Sequence, residues 1–148
     1  PILVLLVWVF YALPNLTGTA FNNIQTSILV LGINLGVFLS EILEAGINSL
    51  NKNQFESIKA LKINMFLGWV VILLPQVFQN SIRAIMAQII TQIKLSSLAS
   101  VIAVPELLYQ GNVLISSTFR PIEIYTLVAF SYLIIILPLS LLLKFNKN

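Results

Sequence analysis

The chain has 148 residues, 58% of them hydrophobic and 9% charged, with a formal net charge of +3 and a mean hydropathy of +0.97. Soluble domains are about 45–50% apolar and about 25% charged, so this is the composition of an integral membrane protein. Without Cys, His or Asp, the chain has no disulfide framework, Cys/His metal site, thiol nucleophile or usual general base, which excludes most enzyme templates.

Pro1 to Leu13 is apolar throughout, but thirteen residues fall short of the about 20 that cross a bilayer core. No basic leader or small-residue cleavage site is visible, so the run is expected to be the remainder of a span that begins upstream. Pro14-Asn15, Gly18 and Asn22-Asn23 make an uncharged turn, the kind that faces outward. Phe21 to Ser40 is predicted to be a span, ending at Glu41, with Gly32 and Gly36 permitting close helix approach. Asn34 within it has two readings, an interhelical hydrogen bond or a residue lining a transport path.

Glu44 to Lys62 is the one long polar interruption. Its second half is predicted to be a short helix, with Asn53 as cap, Glu56 completing a capping box, and Lys59 and Lys62 at the negative end of the dipole. Phe55, Ile58, Leu61 and Met65 recur every three to four residues and form an apolar stripe. Such a stripe lies on lipid headgroups, packs back on its own spans, or enters a groove on a soluble partner.

Ile63 to Ile93 is apolar, and Pro75 is expected to divide it into an approach helix ending near Leu74 and a spanning helix. Arg83 and Lys94 are costly against lipid, at about 2.5–3.5 kcal/mol each, so they should point inward or snorkel. Lys94 with Ser96 and Ser97 is the better candidate for a substrate route; if Arg83 shares its cavity, that cavity is electropositive. Pro105-Glu106 ends a short apolar run, Gly111 to Pro121 reads as a polar connection, and Ile124 to Leu143 is a full span despite Pro138, closed by Lys144 and Lys147. Two crossings separate these lysines from Lys52, Lys59 and Lys62, so both groups satisfy the positive-inside rule together. Basic residues at membrane borders argue for topology and against nucleic acid as partner. The sequence reads as one all-α transmembrane domain over residues 1–148, without an internal repeat.

The run Glu44-Ala45-Gly46, Ser49, Lys52, Gln54, Glu56, Ala60-Leu61 resembles the cytoplasmic EAA loop of ABC importer permeases, particularly the polar amino acid uptake branch. Leu74-Pro75-Gln76 through Leu98, the stretch from Ser100 to Gln110, and Thr118-Phe119-Arg120-Pro121 with Glu123 are similar to further stretches of that family. The chain departs from the pattern at Ser57 and Ile58, where Ala is usual, at Lys62, where Gly is usual, and at Arg83, Ala87 and Leu95, where Pro, Asn and Asp are common. Pro1 to Val4 resembles the family's second span, which places a helix and part of another upstream. The resemblance implies a polytopic bundle of the type I importer permease class with a cytoplasmic coupling helix, in the cell inner membrane. It implies ATPase docking through Glu44, Gly46, Gln54, Phe55, Glu56, Ile58, Ala60 and Leu61, and a substrate pathway through Asn34, Lys94, Ser96 and Ser97. The implied partners are ABC ATPase subunits, a second permease copy or homologue, an extracytoplasmic solute-binding protein, an amino acid substrate and membrane lipids. No cofactor is expected, and no GxxxxGK[ST] loop occurs, so ATP hydrolysis would belong to a separate subunit. A permease for another small solute and a non-transporting scaffold or channel remain as alternatives.

The lysine distribution makes a direct topological prediction. Single cysteines introduced at positions 52 and 113 of this cysteine-free chain should react from opposite sides, 113 from outside and 52 from the cytoplasm. External labelling at 52 with none at 113 would reverse the topology.

Overall fold

The computed structural model describes residues 1–145, so the reading at Lys147 lies outside the described residues, as do the side chains of Lys52 and Lys144. All regular structure among the described residues is helical: α1 (Ile2–Thr17), α2 (Asn23–Asn48), α3 (Lys52–Ala60), α4 (Met65–Ile102), α5 (Leu107–Thr118) and α6 (Pro121–Phe145). Helices are what an apolar solvent demands, since each satisfies its own backbone N–H and C=O groups. Three of them, α2, α4 and α6, are long and apolar enough to cross a membrane.

Helix α2 does not stop at Glu41. Its 26 residues rise about 39 Å, so Glu41 and Glu44 fall on the end that outruns a hydrocarbon core of about 30 Å. Pro75 does not divide α4 either. It follows a π-helical turn, Trp69–Leu73, whose end is marked by the Leu74 N–H bonding to the Trp69 carbonyl. A proline removes one N–H and presses its ring on the carbonyl four residues back; here that residue, Val71, lies inside the widened turn, so the helix continues. The same device recurs in α1, where Trp8–Ala12 is π-helical, Leu13 N–H bonds the Trp8 carbonyl, and Pro14 follows. Trp8-Val9 to Leu13-Pro14 and Trp69-Val70 to Leu74-Pro75 therefore form a short repeat that the hydropathy pattern does not display.

Gly111 to Thr118 is helix, not connection. The Ser116, Ser117 and Thr118 hydroxyls donate to carbonyls within α5, at 2.7, 3.0 and 2.7 Å, so they do not compete with the helical ladder. The helix ends at Phe119 in the left-handed region, φ 55°.

The chain folds as two compact units, Val37–Gln88 and the remainder. Within Val37–Gln88, Leu50, Ile58, Leu73 and Val77 form a buried cluster flanked by Leu43, Phe55, Ile63, Trp69 and Ile72. Gly46 and Gly68 allow this approach: a Cβ at 46 would meet Val77 Cγ1 at 3.1 Å and collide with Ser81 Oγ, and one at 68 would sit 2.8 Å from Ile58 Cγ2. In the other unit Leu6, Val9, Val30 and Ile102 make the core. There Asn23 Nδ2 donates to the Ala103 carbonyl at 2.7 Å, and Gly111 lies against Val128.

Two outcomes follow from this packing. Gly68→Ala should cost about 1–3 kcal/mol by overpacking, and combining it with Ile58→Ala should cost less than the two changes summed, read by thermal unfolding in detergent. Additive losses would contradict the contact. Lys62 stands at φ 54°, a conformation free to glycine and costing other residues about 1–2 kcal/mol, so Lys62→Gly should raise the unfolding midpoint.

Candidate functional site

Helix α3 is built by its own termini. Asn51, not Asn53, is the cap: its side chain accepts the Asn53 N–H at 3.0 Å. Asn53 thus lies inside the first turn, and Glu56 lies too far along to close a capping box. Lys59 occupies the last turn, where it suits the negative end of the helix dipole.

The apolar stripe divides. Ile58 is 3% exposed in the Leu50–Leu73–Val77 cluster, whereas Leu61, beyond the last helical residue, is 71% exposed. Phe55 meets the Trp69 ring edge-on at 5.7 Å between centroids. Met65 opens the next helix rather than extending α3. The inner face is therefore occupied by the chain itself. Gln54 Nε2 donates to Gln76 Oε1 at 2.8 Å, and Gln76 Nε2 donates onward to the Ile72 carbonyl at 2.9 Å, a polar strap between α3 and α4. Of the eight residues named for docking, Gly46, Gln54, Phe55 and Ile58 face inward or are half-buried, while Glu44, Glu56, Ala60 and Leu61 are exposed. Asn80 Nδ2 reaches Ser49 Oγ at 3.1 Å beside Gly46, where Glu41, Ala45, Ser81 and Ala84 help line a cavity of about 590 Å³.

The four pathway residues fall in three separate cavities. Asn34 lines one of about 430 Å³ with Pro1, Val4, Leu5 and Trp8, and its buried Oδ1 has no partner. Lys94 and Ser97 line one of about 210 Å³ with Tyr132 and Ile136, without Arg83. Ser96 belongs to a third, of about 280 Å³. The sequence reading did not single out the acid beside the Lys94 cavity. Glu106 caps α5 by accepting the Leu108 and Tyr109 N–H groups at 2.9 and 2.7 Å, and also accepts the Tyr132 hydroxyl at 2.9 Å. One carboxylate thereby starts a helix and fixes a wall of the cavity. A lone acid within an apolar stretch was the available signal.

No protein-family model matches the chain. It is 33% identical over 149 residues to the glutamine transport system permease protein of Escherichia coli and 28% identical over 144 residues to the arginine transport system permease protein of Bacillus subtilis. Each alignment takes in 97% of this chain and 66% of the relative, so the chain spans just under two thirds of their length. A crystal structure of an amino acid ABC transporter with histidines superposes with a TM-score of 0.88 at 27% identity, covering 99% of this chain and 68% of that one. With three helices fit to cross a membrane and this likeness along nearly its whole length, the chain is a multi-pass membrane protein that belongs to the permeases of amino acid ABC transporters.

Proposed function

We propose that this chain is the permease subunit of an ATP-driven, binding-protein-dependent amino acid importer of the cell inner membrane. It pairs with a second copy or a homologous permease, takes substrate from an extracytoplasmic solute-binding protein, and docks ABC ATPase subunits through α3. The observation that carries this reading is the asymmetry of α3: its inner face is fastened to α4, and its outer face offers Glu56, Lys59, Ala60 and Leu61. A helix so fastened moves as one body with its support. Displacement of α3 by ATPase closure would reach α4 through Ile58, the Gln54–Gln76 strap and Phe55 on Trp69, the residue that opens the π-turn. The substrate path, in this reading, includes Asn34, Lys94, Ser96 and Ser97, with the Lys94 ammonium meeting a substrate carboxylate in a low-dielectric setting.

The two faces of α3 should respond differently to mutation. Leu61→Ala is expected to cost about 2 kcal/mol at an interface anchor, a drop of roughly thirtyfold in ATPase affinity, without lowering permease stability. Ile58→Ala should lower permease stability by about 2–5 kcal/mol instead. ATPase recovered by pull-down, normalised to folded permease, separates them, and full recovery with Leu61→Ala would remove the outer face from docking. Lys94→Met should lower uptake in proteoliposomes while assembly is unchanged. Unaltered uptake kinetics would take Lys94 out of the path.

A further inference from the structure

Glu106 is an uncommon residue with which to start a helix. The side chains that favour this position are the short ones of Asn, Asp, Ser and Thr, which reach back to the first turn and no further. From an extended backbone, φ −96° and ψ −177°, Glu106 makes the same contacts, accepting the Leu108 N–H at 2.9 Å and the Tyr109 N–H at 2.7 Å. Its longer side chain adds a third bond, from the Tyr132 hydroxyl of α6 at 2.9 Å. That bond lies deep. Tyr132 stands eleven positions along α6 from Pro121, a rise of about 16 Å and close to half of a hydrocarbon core of about 30 Å. A carboxylate at such depth is tolerated only where donors surround it, and a phenol proton committed to it does not turn freely. Helices α5 and α6 are held in register beside this bond. Asn112 Oδ1 accepts the Tyr125 hydroxyl at 3.1 Å, and Gly111 lets Val128 approach so closely that a Cβ there would stand 2.8 Å from Val128 Cγ2.

We propose that Glu106 is a positioning residue of the Lys94 cavity: by holding the Tyr132 hydroxyl it fixes the phenol as a wall, and so sets how wide a group can lie beside Lys94. Tyr132 and Ile136, about one helical turn apart on α6, line a space of about 210 Å³ together with Lys94 and Ser97 of α4. The α4 side is fixed as well, since Ser97 Oγ donates to the Lys94 carbonyl at 2.8 Å. Released from Glu106, the phenol would be free to take other rotamers, and the cavity would lose its defined width. Tyr132 is then the residue that determines specificity, and Glu106 the one that places it. That the group admitted belongs to a transported amino acid rests on the function proposed above; the tether itself does not.

The test uses the full transporter in lipid nanodiscs with Ile136→Cys as reporter, the chain being otherwise cysteine-free. Reaction of the introduced thiol with methyl methanethiosulfonate is compared with that of the bulkier benzyl reagent, each rate normalised to a free thiol. The small reagent should be favoured about tenfold. Tyr132→Phe, which keeps the ring and the helix cap but removes the tether, should reduce this preference about fivefold. Glu106→Asp keeps a carboxylate suited to the cap but falls one methylene short of Tyr132, so it should act alike, and the double variant should go no further than either alone. An unchanged preference in either variant, additive effects in the double variant, or no reaction of the small reagent would overturn the positioning role; a carboxylate that only caps α5 predicts the first of these. Uptake of L-glutamine and of the bulkier N-ethyl-L-glutamine is measured separately, and Tyr132→Phe should narrow the ratio of their KM values by about the same factor. Loss of preference at the reporter with an unchanged KM ratio, or with no uptake at all, would keep the positioning role and take the cavity out of the transport path.

Discussion

The burial of Ile58 against Leu50, Leu73 and Val77 is the contact on which the rest of the structure around α3 depends. It turns a nine-residue polar helix, too short to be stable alone in water, into a fixed feature of the fold. Gly68 makes the contact possible by leaving the space that Ile58 Cγ2 fills. Once Ile58 is seated, the directions of its described neighbours on α3 follow from the helical period: Phe55 turns toward Trp69, Gln54 toward Gln76, and Glu56 and Lys59 away. The departure of this chain from the usual small Ala at position 58 is thus a packing choice, a larger knob in a hole made by a glycine.

The two π-turns show how a membrane helix keeps a proline. Apolar surroundings offer no water to a freed carbonyl, so the helix widens before Pro14 and Pro75 rather than breaking. In α4 the widened turn begins at Trp69, the residue against which Phe55 packs. The widened turn of α4 and the anchorage of α3 therefore share one residue.

Much of the fold was legible in the sequence because the membrane imposes long apolar runs: α2 and α6 declare themselves by length, whereas Pro75 read as a division of α4 that the π-turn before it carries through as one helix. What escaped was decided by single groups. Glu41 did not mark the end of α2, because a charge limits the depth of a helix in lipid and not its length. Asn51 outcompeted Asn53 as cap, a shift of two residues that periodicity cannot see. Helix α5 was hidden by its serines and threonine, whose hydroxyls turn back onto their own helix. The stripe of Phe55, Ile58 and Leu61 was visible, but whether it met a partner or the chain itself depended on Gly68, a residue whose role is the absence of a side chain. The division of Lys94 and Ser96 between cavities likewise comes from the turn between neighbouring helical positions, which spacing along the sequence suggests only weakly.

In the proposed docking, α3 offers its outer face to the ATPase and keeps its inner face for α4. Photo-crosslinking in the assembled transporter tests this most directly, with a diazirine residue close to leucine in size placed at position 58 or at position 61. Position 61 should then yield a permease–ATPase adduct and position 58 only intramolecular products. An ATPase adduct from position 58 with none from position 61 would contradict it.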